Sequence, residues 1–409
     1  MNNMYKERWL AEKLKKSLKV SSVLILTGAR QTGKTTLLMN EPIFKTYKYF
    51  SLDDLDVLAQ AQKDPSPIVS SARNIIIDEA QRVPKLLHSI KQAVDFDREK
   101  ERRFVLSGSA NLLLLKSISE TLAGRATYHT LFPFTYSEYQ GRQKPEWLLK
   151  MFKKIYPQEK EIVSNPPSLT PVLFRGFLPP VLEFKPESSE EISMWWDGYI
   201  KTYLERDLRD LTQVASLTNF RAVMQLLALR TASLVDQSGI SRDTGISQPT
   251  VHRYLNLLEA SNLFVRLRPF TKIKSKSITK TPKGYFIDPG LAAHLAGYRD
   301  SSAMDEKFKG NLFESLILLN LLCLAEIYGM NVYFWRTKEG KEVDFILEYG
   351  RVILPLEVKM SNKVQYADLQ NLLYFLRMNP QAVGGIVIYT GSDIQKLASN
   401  IFAIPWVML

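Results

Sequence analysis

Gly28-Ala29-Arg30-Gln31-Thr32-Gly33-Lys34-Thr35 follows the apolar run Val23-Leu24-Ile25-Leu26 and leads into Thr36-Leu37-Leu38-Met39. The order is strand, glycine-bounded loop, helix start, and the spacing is that of a phosphate-binding P-loop. Gly28 and Gly33 permit backbone conformations that turn successive N–H groups inward on a polyphosphate, with Ala29, Arg30, Gln31 and Thr32 between them. Lys34 brings a cation to the outer phosphates, and the Thr35 hydroxyl is a candidate ligand for Mg²⁺. Thr36 continues the helix, whose first N–H groups favour an anion. The stretch predicts binding of a nucleoside triphosphate, ATP with Mg²⁺, inside an α/β fold.

Further along, Ile75-Ile76-Ile77-Asp78-Glu79 reads as a buried strand ending in two acids. A continuous apolar run fits a parallel sheet covered on both faces, and carboxylates at its C-terminal end lie beside the P-loop. Asp78 is expected to hold Mg²⁺ through water and Glu79 to polarise the attacking water. That pair favours an ATP-hydrolysing motor over a kinase. Residues 47–52, 104–109 and 126–131 read as further strands, and Ser107, Ser109 and Asn111 are candidate sensors of the γ-phosphate. Residues 111–122 read as a helix stopped at Gly124. Arg125 then stands where oligomeric AAA-type ATPases carry an arginine finger that reaches a neighbouring subunit's nucleotide. A helix-dipole partner is the alternative role for that arginine.

The chain's 409 residues leave room for two to four domains, and its composition holds no low-complexity tract. The single cysteine, Cys323, sits in an apolar run, which excludes cysteine zinc clusters and fits a reducing compartment. The four histidines are scattered without ligand spacing. Residues 1–20 are lysine-rich without an apolar centre, so no signal peptide is expected, and residues 1–19 read as an amphipathic helix with Trp9, Leu10 and Leu14 on one side. The longest apolar stretch, 316–325, contains Asn320 and is too short to span a bilayer. A cytoplasmic protein without a membrane segment is expected. The net charge of +12 points to a polyanionic partner, nucleic acid first.

The P-loop, the run Ile75-Ile76-Ile77-Asp78-Glu79-Ala80-Gln81-Arg82-Val83-Pro84, Ser107-Gly108-Ser109 and Leu122-Ala123-Gly124-Arg125 together resemble the prokaryotic AAA-superfamily ATP-binding proteins that carry a C-terminal domain of unknown function 4143. The likeness continues in Tyr199-Ile200-Lys201-Thr202-Tyr203-Leu204-Glu205-Arg206-Asp207, in Phe286-Ile287-Asp288-Pro289-Gly290, and from Trp335-Arg336 to Glu342-Val343-Asp344. The resemblance implies ATP binding, hydrolysis and a nuclease-like C-terminal fold.

The second half reads as three further parts. Residues 135–211 are helical by pattern and are expected to form a lid over the nucleotide, with Arg175 or Arg206 as candidates to touch the γ-phosphate. Residues 212–300 read as a winged helix-turn-helix: a helix 238–244, a turn at Gly245, and a helix 248–260 that buries Val251, Leu255 and Leu258. Gln248 and Arg253 remain on its open side as candidate DNA contacts. The segment 266–283 carries seven basic residues and no acid. Lys272, Lys274 and Lys276 alternate, so in a strand they share one face and would meet phosphates. A packing or protein-interaction module is the alternative.

The last part, 301–409, places Glu314 on a helix, Asp344 on one strand and Glu357-Val358-Lys359 on the next. Asp344 and Glu357 are candidate ligands for Mg²⁺ or Mn²⁺, with Glu314 contributing and Lys359 activating water or steadying a phosphate. This spacing resembles the restriction-endonuclease-like (PD-(D/E)xK) nucleases, with Val343 where their motif has proline. The expected architecture is thus α/β: a P-loop ATPase core (1–134), a helical lid, a winged helix and a nuclease-like domain. An oligomeric, hexameric DNA motor is the leading expectation. A regulatory switch ATPase whose tail binds a protein partner is the second, and a toxin- or defence-associated nuclease the third.

Overall fold

The computed structural model describes residues 5–97, 101–108, 121–158, 162–163, 166–184, 186–202, 216–271, 277 and 280–409. The chain divides into two units, Met1–Pro133 with Ala260–Asn262 and Phe134–Glu259 with Leu263–Leu409. Ser109, Asn111, Arg206, Lys272, Lys274 and Lys276 lie outside the described residues.

In the first unit five parallel strands, β1 (Val23–Thr27), β2 (Lys48–Ser51), β3 (Asn74–Asp78), β4 (Arg103–Ser107) and β5 (Ala126–Thr130), are ordered β2-β3-β4-β1-β5. Strand alternation sends Val23, Ile25, Ile75, Ile77, Phe104 and Leu106 to one face, against Leu86, Leu87 and Ile90 of the helix Lys85–Phe96. Leu24, Leu26, Ile76 and Val105 go to the other face, where Leu10, Leu14, Leu37 and Leu38 cover them. Each such side chain taken fully out of water contributes roughly 1.5–3 kcal/mol. Both faces are therefore dry, and the polar groups of the sheet gather at the C-terminal ends of its strands.

The second unit begins with short helices, among them Leu169–Arg175 and Ser189–Tyr199. Buried Asp288 caps the helix Pro289–Leu295 at Gly290 N (2.8 Å) and also accepts from Phe177 N (2.8 Å), just beyond the first of them, while Ser193 and Trp196 of the second meet His294 of that helix. Arg175, expected near the nucleotide, sits half-buried here, and burial lowers its pKa. Next come the helix Leu217–Leu229, β6 (Ser233–Leu234), the helices Gln237–Thr244 and Gln248–Ala260, β7 (Phe264–Leu267) and β8 (Lys283–Phe286). Gly245 makes the turn between the two helices with φ +71°, and the strands pair as β6-β8-β7.

The C-terminal part opens with the helix Glu306–Tyr328, 23 residues long and apolar enough to cross a membrane by length and composition, with 67% of its apolar window buried inside the fold. It packs on a six-stranded sheet ordered β13-β14-β12-β11-β10-β9. The strands are β9 (Asn331–Arg336), β10 (Glu342–Tyr349), β11 (Val352–Lys359), β12 (Gly385–Tyr389), β13 (Gln395–Ala398) and β14 (Ile401–Pro405). β9 to β11 run antiparallel, and β11, β12 and β14 run parallel. β13 and β14 are additions to the expected sheet; the buried run Ile401–Pro405 pairs in parallel with β12.

Candidate functional site

β1 delivers the chain into the loop at residue 28, and the helix Lys34–Asn40 starts directly after Gly33, which takes a left-handed conformation at φ +91°. At Gly28, φ is +150° and a Cβ would fall 2.3 Å from the Leu131 carbonyl oxygen, so only glycine fits. Gln31 also adopts positive φ, +64°. The positive φ at Gly28, Gln31 and Gly33 shapes a backbone cradle of a kind that fits a polyphosphate. Lys34 is buried, and its ammonium donates to the carbonyls of Gly28 (3.0 Å) and Ala29 (2.9 Å). Burial pushes its pKa down to about 8, with Glu79 and Asp78 pulling upward and Arg30 downward.

Asp78 is the hub facing that loop. Its Oδ2 accepts from Thr35 Oγ1 (2.6 Å) and Tyr49 OH (2.8 Å), and its Oδ1 accepts from Ser107 Oγ (2.5 Å). Burial and the Asp78 carboxylate raise the Tyr49 pKa, so Tyr49 stays a proton donor. Glu79 follows in a left-handed conformation (φ +55°), which turns its side chain out of the strand register, and Gln81 Nε2 donates to it. Thr35 and Asp78 are the residues that would hold Mg²⁺, which would neutralise phosphate charge. Glu79, next in the chain, would be the carboxylate to take a proton from water.

Arg8 is the largest addition to the expected set. Its guanidinium donates to Thr32 O (2.8 Å), Phe132 O (2.7 Å) and Pro133 O (3.4 Å), tying the loop to the exit of β5. Arg125 pairs with Asp95 (2.5 Å) and donates to Ala123 O (2.9 Å).

A second polar constellation lies in the second unit. Lys283 on β8 sits 2.7 Å from Glu314 Oε1 and 2.7 Å from Glu342 Oε1, and Tyr285 OH donates to Glu314 Oε1 (2.5 Å). Burial alone would lower the Lys283 pKa, but Glu314, Asp344 and Glu342 outweigh it and hold the ammonium charged. Burial and the Asp344 charge push Glu314 up to about 7, against Lys283 and Tyr285. The β9–β10 register slips between Val343 and Ile346, a bulge that frees Asp344 from the regular ladder. Asp344 Oδ2 accepts from Val358 N (2.8 Å). Glu357 is buried, its Oε2 3.8 Å from Lys359 Nζ and its Oε1 without a hydrogen-bond partner among the described residues. Burial and Asp344 hold the Glu357 pKa well above the usual carboxylate range. The orphaned oxygen fits a cation. Among the described residues, however, no three His, Cys, Asp or Glu side chains are gathered to hold a metal. The expected third donor, Glu314, is taken up by Lys283.

On the helix Gln248–Ala260, Val251, Leu255 and Leu258 are buried, while Gln248 and Arg253 are exposed. Of the described basic residues after it, two are engaged inside the fold. Arg266 pairs with Glu259 and donates to Asn256 Oδ1 (2.6 Å), and Lys283 is buried.

Residues 20–140 match the family model of an AAA domain. Residues 167–302 and 309–409 match two domains of unknown function, DUF8612 and DUF4143. An uncharacterized protein of Mycobacterium tuberculosis is 28% identical over 407 residues, covering 98% of this chain and 84% of its own. One of Haemophilus influenzae is 23% identical over 377 residues, covering 86% of each. The Walker-type ATPase of Pyrococcus abyssi overlaps 70% of this chain and 94% of its own with a TM-score of 0.46 and 17% identity. The AAA domain carries the nucleotide site described above, and ATP is its ligand class.

Within the AAA domain, Lys34, Thr35, Asp78 and Ser107 lie together as the sequence order implied; Tyr49 joins them there, and Arg8, ahead of the matched residues, reaches the same loop. Tyr49 had a signal: it lies two residues before the end of β2, a parallel neighbour of β3. Arg8 had none, because its partners are carbonyls up to 125 residues away.

Proposed function

We propose that the chain is an ATP-hydrolysing motor that binds DNA and remodels or processes it. The observation that carries the DNA part is the pair Gln248 and Arg253, exposed on the solvent face of a helix that follows the Gly245 turn. We read this helix pair with the β6-β8-β7 sheet as a winged helix-turn-helix, a geometry that presents the second helix to a groove. The net charge of +12 adds salt-dependent attraction to phosphates. The C-terminal sheet we read as nuclease-like, with Asp344, Glu357 and Glu314 as ligands for Mg²⁺ or Mn²⁺ and Lys359 beside them. Arg125 we assign as a finger acting across subunits of a ring, a hexamer. In that assembly it would exchange Asp95 for the neighbour's nucleotide.

A regulatory switch that holds a protein partner is the second reading, and one observation favours it. Arg266 and Lys283 are spent on internal ion pairs, which removes them from any phosphate-facing surface. The two readings separate on one measurement, phosphate release with and without duplex, single-stranded and branched DNA. Stimulation by DNA supports the motor. An unchanged rate together with no DNA binding at low salt supports the switch.

A further inference from the structure

We propose that Lys283 is the resident cation of the C-terminal carboxylate cluster, and that a divalent ion enters beside Asp344 and Glu357 only as Lys283 gives up Glu314. The inference rests on reading that cluster as a divalent-ion site and adds its control. Lys283 belongs to the three-stranded β6-β8-β7 sheet, not to the six-stranded sheet that carries the acids. Its side chain is only 4% exposed and bridges Glu314 of the long helix to Glu342 at the start of β10, each at 2.7 Å. An ammonium so deep needs partners, and carboxylates so deep need a cation, so the arrangement holds itself together.

The neighbouring half of the cluster is incomplete. Glu357 is 3% exposed and presents Oε1 without a hydrogen-bond partner among the described residues, while Lys359 stands 3.8 Å from its other oxygen. Asp344 is freed by the β10 bulge, and its Oδ2 is held by Val358 N at 2.8 Å. Two carboxylates are thus prepared, and a hard divalent cation seeks more oxygens than two. Glu314 is the near acid able to supply one, and it is already engaged by Lys283 and Tyr285. Ammonium and divalent ion therefore compete for one carboxylate. Metal loading loosens β8, and anything that pulls β8 away readies the site for metal. Lys283 and Tyr285 of β8 thus couple the helical module to Glu314, and Lys283 extends that coupling to Glu342 on the acidic sheet.

The test is a Mn²⁺ titration of the full chain, with free Mn²⁺ read by electron paramagnetic resonance and melting followed with and without the ion. Lys283→Met should bind Mn²⁺ about tenfold or more tightly than the wild-type chain, because a competing charge has gone. Lys283→Gln, which keeps a polar side chain of similar reach and removes the charge, should shift affinity the same way and carries the test if Lys283→Met does not fold. Adding Glu357→Gln to either should abolish the gain. Equal Mn²⁺ affinity in the wild-type chain and both variants overturns the gate and leaves the metal site standing. Absence of Mn²⁺ binding in all three overturns the metal site and the gate together.

Discussion

Thr35 Oγ1 donates a 2.6 Å hydrogen bond to Asp78 Oδ2 across 43 residues of sequence. Thr35 opens the helix after the loop and Asp78 ends β3, so this bond joins the phosphate cradle to the acidic strand end. Tyr49 and Ser107 hold the same carboxylate in place. A divalent ion arriving with nucleotide would find both of its protein ligands already side by side, with little reorganisation left to do.

Lys34→Ala should abolish ATP binding, and Glu79→Gln should keep binding while stopping turnover. Fluorescent-nucleotide titration and phosphate release measure the two separately. Normal hydrolysis in Lys34→Ala removes the loop from the mechanism.

The lowered Lys34 pKa makes nucleotide affinity depend on pH. Below about 8 the ammonium is charged and ready for phosphate; above it, the free protein must first take up a proton. The Kd for ATP should therefore weaken by up to about tenfold per pH unit as pH rises past that value. Titrations from pH 7 to 9.5 check this. A flat profile in the wild-type chain contradicts the buried, desolvated lysine.

Arg125→Ala should cost little stability, because its ion pair with Asp95 is about a third exposed on both sides (33% and 39%) and such pairs contribute roughly 0.2–1 kcal/mol. Its hydrolysis should nevertheless fall if it serves a neighbour's nucleotide. Mixing Arg125→Ala with Glu79→Gln chains should restore part of the rate, since some shared sites regain a full set. Full activity in a strictly monomeric preparation rules the ring out.

Arg253→Ala, combined with alanine at Lys272, Lys274 and Lys276, should weaken DNA binding for all sequences alike. The salt slope should flatten by about 0.9 for every phosphate that the protein no longer neutralises. An unchanged slope returns these charges to solvent.

His294 is buried, stacked on Trp196 and bonded through Nδ1 to Gly290 O at 2.8 Å, and burial holds its pKa down at about 4. The unfolded chain protonates this ring near pH 6.5 and the folded one does not. Its contribution is thus present above 6.5 and lost as pH falls from there to about 4, on the order of 3 kcal/mol. Asp288, raised to about 6 by burial, works in the opposite direction over that range, so single variants are needed. His294→Asn keeps a donor for Gly290 and should show a shallower acid limb in melts from pH 7 to 4.5. Parallel acid limbs in the two proteins exclude His294 as its source.

Where local pattern sets the structure, the sequence was readable. The strand–loop–helix of the P-loop, the acid-tipped β3 and the helix Gln248–Ala260 follow from periodicity and glycine placement, and the structure has them at those positions. Long-range pairing was not readable. Lys283 looked like one more basic residue in a run without acids. Yet it shares a strand face with Tyr285, two residues on, and both turn inward to Glu314. The lid expected over 135–211 fared similarly. Its helical pattern was visible, but Asp288, which fastens Phe177 to another helix, lies 111 residues from it.

The Arg8 guanidinium grips the loop that will hold phosphate, from a position ahead of the helix Ala11–Val20. Affinity tags, fusions and trimmed versions that disturb the leading residues are therefore edits to the nucleotide pocket. A preparation lacking Arg8 and turning over poorly would report a slackened cradle rather than damage at Asp78 or Glu79, and restoring that one arginine's reach should revive it.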